Sequence, residues 1–64
     1  MQNDQKTAVF LKTSEVAERW NVSMRTLEGW RDQGIGPNFH KIGGRVRYHV
    51  DDLDRYEKSV RAYN

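Results

Sequence analysis

Glu15-Val16-Ala17-Glu18-Arg19-Trp20-Asn21-Val22-Ser23-Met24-Arg25-Thr26-Leu27-Glu28-Gly29-Trp30 contains two apolar sets separated by a short break. Val16, Ala17 and Trp20 form the first set, and Leu27 and Trp30 the second. Asn21 can leave a helix through the left-handed region. Val22 can plug the gap between two helices. Ser23 is a good N-cap, because its hydroxyl can accept the free backbone N–H of Arg25 or Thr26. Two short helices closed by so tight a turn form a helix-turn-helix. The second helix then turns Met24, Arg25, Thr26, Glu28 and Gly29 away from the core.

Towards the N-terminus, the first helix is expected over about Thr13 to Trp20. Thr13 or Lys12 takes the cap position, with Thr13 chemically the better cap, and Glu15 suits the helix dipole. Phe10 and Leu11 are expected to pack on this helix from outside, as a hydrophobic staple does. Residues 1–9 are polar and aperiodic, and read as a flexible arm.

Towards the C-terminus, the second helix is expected over about Met24 to Gln33. Leu27, Trp30 and Ile35 supply its core side, and Gly34 stops it. Gly29 costs such a helix about 0.5–1 kcal/mol relative to Ala. Either it lets a partner backbone approach closely, or it is a tolerated weak spot. Pro37 forces a turn and biases Gly36 towards an extended conformation. Phe39 to Tyr48 reads as a β-hairpin with glycines at its tip. A three-residue loop, Gly43-Gly44-Arg45, would pair Ile42 with Val46. That puts Ile42, Val46 and Tyr48 on one face and Lys41 and Arg47 on the other. A two-residue Gly43-Gly44 loop would pair Ile42 with Arg45 and mix apolar with basic, so the longer loop is preferred. A last helix starts near Val50 or Asp51, with Asp51, Asp52 and Asp54 in its first turn. Its stripe is Leu53, Tyr56, Val60 and Tyr63. The three acids lack the spacing and glycine of a calcium loop. Residues 62–64 are expected to fray.

The chain has 64 residues, enough for one domain over 10–61 with a small core. It has no cysteine, so no disulfide or thiolate metal site is available. Two histidines without cysteine make a structural zinc unfavourable. Burial of Trp20, Trp30, Phe39, Tyr48 and Tyr56 is expected to stabilise the fold. No apolar run approaches a membrane span, and the start M-Q-N-D-Q-K-T lacks a secretory signal. A cytoplasmic, nucleoid-associated bacterial protein is the expectation. The net charge is only +2, but residues 38–50 hold Lys41, Arg45 and Arg47 and no acid. A local basic patch on a neutral body suits an anionic partner docked at one place.

Together these elements are mainly α with a small β-hairpin: helix, turn, helix, hairpin wing, closing helix, a winged helix-turn-helix. The segments F-L-K-T-S-E-V-A-E-R-W, V-S-M-R-T-L-E-G-W, G-I-G-P-N-F-H-K-I-G-G-R-V-R-Y and D-D-L-D-R-Y resemble the small MerR-like winged-helix family. That family includes phage and mobile-element excisionases and short phage-type transcription regulators. The resemblance covers about Phe10 to Val60. It implies groove contacts from Ser23, Met24, Arg25, Thr26 and Glu28, and wing contacts from Lys41, Gly43, Gly44, Arg45 and Arg47. Members of the family often carry a basic residue in place of Gly29 and a small hydroxyl residue in place of Lys12.

Arg25 is the best base reader, since guanidinium can pair bidentately with guanine O6 and N7. A phosphate contact or an intrahelical pair with Glu28 are its alternatives. Glu28 can accept from a cytosine amine or remain a solvated acid. Ser23 and Thr26 can bond phosphate or cap the helix, and Arg31 can reach phosphate from the flank. Neutralising roughly three to five phosphates gives a slope of about −3 to −5 in log affinity against log salt. One such module buries only roughly 600–1,000 Å², so several copies on repeated sites are expected.

The expected function is an architectural factor for double-stranded DNA, an excisionase that self-associates on repeated sites and bends them, with an integrase or recombinase as a further partner. A short regulator at a promoter, working with the transcription machinery, is the alternative. A protein-interaction module ranks below both. The sequence offers no nucleophile–base pair, metal cluster or phosphate loop for catalysis, and no cofactor is expected. His40 and His49 lie beside the hairpin without an evident partner.

Overall fold

The computed structural model describes residues 9–61. The arm expected over residues 1–9 lies outside the described residues except for Val9, and so do residues 62–64, including Tyr63. The elements are β1 (Phe10–Leu11), α1 (Thr13–Trp20), α2 (Met24–Gln33), β2 (His40–Ile42), β3 (Arg45–His49) and α3 (Val50–Ser59). This is a mainly α winged helix-turn-helix.

Local cap chemistry explains the helix-turn-helix. Asn21 ends α1 at φ 54° and ψ 45°, in the left-handed region. Val22 N–H then donates to Ala17 O at 2.9 Å, and its side chain packs on the core. Ser23 Oγ accepts the Thr26 N–H at 3.1 Å and starts α2. Gly34 ends α2 at φ 73°. Helix α1 starts at Thr13 as expected, and of the two cap candidates it is Lys12 rather than the chemically better Thr13 that takes the position. The Lys12 side chain makes no cap bond, because an ammonium has no acceptor. Glu15 Oε1 instead accepts the Lys12 backbone N–H at 2.8 Å, half of a capping box.

Phe10 and Leu11 are a strand rather than a staple. They pair antiparallel with His49 and Tyr48, giving a sheet of order β1-β3-β2. The hairpin register also corrects the expectation. Ile42 pairs with Arg45, Lys41 with Val46 and His40 with Arg47, so the loop is the two residues Gly43 and Gly44. Both glycines have positive φ, 61° and 79°. Positive φ at both loop positions makes the type I′ turn, whose twist matches the flanking strands. The turn geometry prevails over the separation of apolar from basic residues. Val46 and Tyr48 still face the core, whereas Ile42 does not: it is exposed beside Arg45.

The core is Val16, Ala17, Leu27, Tyr48 and Leu53, with Leu11, Trp20, Val22, Trp30 and Val46 packed against it. Among the described residues, Tyr48 is the one aromatic ring that is fully buried. Trp20, Trp30 and Tyr56 lie half-buried, one from each helix, with ring centroids 5.5–6.5 Å apart. Ile35, Phe39 and Val60, expected to help the core, are exposed. Val60 follows the end of α3, and Ile35 and Phe39 sit in the loop after α2. Gly36 is not extended. It turns at φ 86° onto Trp30, where a Cβ would stand 2.9 Å from Trp30 Cε3, and Pro37 behind it is buried.

A charged clamp joins α1 to α3. Arg19 Nε donates to Glu57 Oε2 at 2.8 Å, and its Nη2 to Asp54 Oδ1 at 2.9 Å. Trp20 Nε1–H donates to the same Glu57 carboxylate. These bonds, Arg19's first and Trp20's second, hold Glu57 below the ordinary carboxylate value. The Glu57 bonds likewise raise Arg19 above its own ordinary value. A depressed carboxylate adds stability that is fully present above its unfolded value, 4.5, and is lost as pH falls through the folded value. Urea titrations of wild type and Glu57→Gln should therefore differ at neutral pH and converge below pH 4.5. A constant difference down to the lowest pH would contradict this.

Candidate nucleic-acid interface

Leu27 faces inward from α2 and is buried. Helical spacing then places Arg25, Glu28, Gly29 and Asp32 on one outward stripe, at intervals of three and four. Arg25 and Glu28 are exposed, as are Ser23 and Met24 beside them. Arg25 makes no hydrogen bond or ion pair with any described residue, so the alternative pair with Glu28 does not form. Its charge is free for a partner. Thr26 is half-buried, and its Oγ1 lies 3.0 Å from Ser23 Oγ. Both hydroxyls are thus engaged in the cap.

Lys41 and Arg45 on the wing are likewise exposed and unpaired among the described residues. Arg45 flanks the Gly43-Gly44 apex, and Lys41 projects from the opposite face of the ribbon. Arg47 shares the Arg45 face; its Nη1 donates to Val46 O at 2.7 Å. The expectation that Lys41 and Arg47 share one face fails with the register.

Arg31 occupies a different environment. Its Nη1 donates to Tyr48 Oη at 2.7 Å and to Thr13 Oγ1 at 3.4 Å. Its guanidinium stands 5.6 Å from the Phe39 ring centroid. Arg31 thereby ties α2 to the wing strand β3 and to the start of α1. Sequence reasoning missed this brace, because its partners lie 17 and 18 residues away.

The histidines also have partners that the sequence did not reveal. His49 Nδ1 accepts the Asp51 N–H at 3.0 Å and caps α3. His40 Nε2 lies 3.4 Å from Asp52 Oδ2. The Phe10 ring meets both imidazoles edge-on, at 5.4 and 5.0 Å. The acids of α3 are used in turn: Asp52 binds Arg55 at 2.8 Å and Asp54 binds Arg19. These contacts give the carboxylates of Asp52 and Asp54 structural partners.

Gly29 has ordinary helical φ, and a Cβ added there would meet nothing within 4 Å. The fold therefore does not require glycine. Gly29→Ala is expected to raise thermal stability by about 0.5–1 kcal/mol. If the open surface accommodates a duplex, the same change weakens DNA binding. A gain in stability with unchanged binding would assign Gly29 to the tolerated weak spot.

The described surface thus combines an outward helix stripe led by an unpaired arginine with a basic hairpin held to that helix by Arg31. No described helix is long and apolar enough to cross a membrane. No curated protein matches the chain. A helix-turn-helix domain family does match, over residues 10–61, the span from β1 past the end of α3. A motif of this kind places its second helix in the major groove of DNA. The chain belongs to the helix-turn-helix domain family.

Proposed function

We propose that the chain is a sequence-specific architectural factor for double-stranded DNA, an excisionase of a mobile element that binds repeated sites cooperatively and bends them. The observation that carries the DNA reading is the exposed Arg25 on α2 together with the exposed Lys41 and Arg45 on a wing segment that holds no acid, all three without a partner among the described residues. In this reading α2 enters the major groove. Arg25 contacts a guanine edge, and Ser23, Met24, Thr26 and Glu28 line the approach. Lys41, Arg45 and Arg47 follow the adjacent backbone, and Gly43 and Gly44 let the apex come close. Arg31 holds the two parts in register and adds its charge at the flank of α2. The small footprint of one module calls for several copies, bound side by side.

Footprinting on DNA flanking the gene tests this reading. A protected region of repeated sites at a recombination end, with bending, supports it. A short palindrome at a promoter would replace it with a transcription regulator. Retention of a protein partner without salt-dependent DNA binding would replace it with an interaction module.

A further inference from the structure

The sheet has an outer face, turned away from the core. On β3 it carries Arg45, Arg47 and His49, because Val46 and Tyr48 point inward and side chains alternate. His40 of β2 lies directly opposite Arg47, and Phe10 of β1 directly opposite His49. His40 and Arg47 therefore rise side by side, with Cβ atoms about 5 Å apart. Neither β2 nor β3 contains an acid.

Two histidines share this face, but their nitrogens are used differently. His49 Nδ1 accepts the Asp51 N–H, so its ring hydrogen sits on Nε2. A second proton on that ring would remove the α3 cap and leave only the Asp51 carboxylate, 3.8 Å away, as partner. His40 Nε2 faces Asp52 Oδ2 at 3.4 Å. An ionised carboxylate only accepts, so the neutral His40 ring carries its hydrogen on Nε2 and leaves Nδ1 bare. That nitrogen has no partner among the described residues, and the side chain is 48% exposed. The charges around the ring pull in opposite directions. Asp52 favours a second proton there. Arg55 shares the same carboxylate at 2.8 Å and weakens its pull, and Arg47 across the strand opposes the proton. Phe10, edge-on to the ring at 5.4 Å, carries no charge.

A phosphate tips this balance. Arg47 uses one donor on Val46 O, and a guanidinium has five. A phosphate held by the others stands beside His40. It repels the bare Nδ1 lone pair and attracts an Nδ1–H. Imidazole is the side chain that can make this exchange near neutral pH.

We infer that His40 and Arg47 form one phosphate-binding pair, and that DNA binding places a proton from solvent on His40 Nδ1, so that affinity rises as pH falls from about 8 to about 6. The inference rests on the DNA-binding reading above and makes that binding sensitive to pH.

The probe is a short duplex selected by the wild-type protein from a random pool. Wild type should bind it about tenfold more tightly at about pH 6 than at about pH 8. Its salt slope should be steeper by about 1 at the lower pH, because one more phosphate is neutralised. Titration calorimetry near neutral pH, in two buffers of different ionisation heat, should show proton uptake on binding. His40→Gln should have the same salt slope at both pH values and take up no proton. His49→Asn keeps a capping oxygen and should retain the whole pH effect. Wild-type affinity that is the same at both pH values, or binding without proton uptake, would overturn the inference without requiring any variant. So would a pH effect that survives in His40→Gln or vanishes in His49→Asn. In each case salt-dependent binding by wild type would leave the DNA reading standing. Wild type that binds no duplex in a salt-dependent way would remove both.

Discussion

Leu27→Ala is expected to leave the domain mostly unfolded near body temperature. Leu27 is 1% exposed and is the inward side chain that seats α2 on the core with Val16, Tyr48 and Leu53. Truncating a buried leucine costs about 2–5 kcal/mol, part of it lost transfer energy and part an unfilled cavity. A domain of this size has a total stability of roughly 3–10 kcal/mol. Only five side chains make up the buried core among the described residues, so little can collapse into the gap. Urea denaturation followed by tryptophan fluorescence reads the loss, since Trp20 and Trp30 pack on the same core. Leu27→Met, which conserves volume, should cost under about 1.5 kcal/mol. A loss below about 1 kcal/mol for Leu27→Ala would place α2 outside the cooperative unit.

Arg25→Ala should have the largest effect on binding and almost none on folding. The side chain is exposed and has no partner among the described residues, so its removal should shift stability by no more than about 0.5 kcal/mol. If it reads guanine, about 1–3 kcal/mol of discrimination disappears, roughly a fivefold to hundredfold loss on the selected site. Other sequences would then be little affected, and the preferred site would relax at one position. If it clamps a phosphate, affinity falls on every sequence alike and the salt slope drops by about 1. An unchanged affinity on all duplexes would remove Arg25 from the interface.

The parts of the fold legible in the sequence are those set by local chemistry. Asn21, Ser23 and Gly34 each act through their own backbone or a neighbour within one turn, and the bounds of α1 and α2 follow from them. The strand β1 has no such signal. It is two residues long and exists because β3, nearly forty residues later, offers an edge to Phe10 and Leu11. The hairpin register failed for a different reason. Sorting apolar from basic residues presumes that one face of the ribbon is buried along its whole length. Here only Val46 and Tyr48 reach the core, while all of β2 is exposed. With no burial to favour the longer loop, the turn preference of Gly43-Gly44 decides. The same split runs through the interface. Exposure of Arg25 follows from helix periodicity and that of Arg45 from its place beside the apex, whereas Lys41 lies opposite Val46 on the core-facing side and is exposed because the whole of β2 is. The inward use of Arg31 depends on Tyr48 and Thr13, which only the folded chain brings near.

The central claim is that α2 and the wing present their free cations to a single duplex. Equilibrium binding of wild type to short duplex DNA across a salt series tests it most directly. The account predicts a linear fall of log affinity against log salt with a slope of about −3 to −5. A slope near zero, or no binding at low salt, would contradict it.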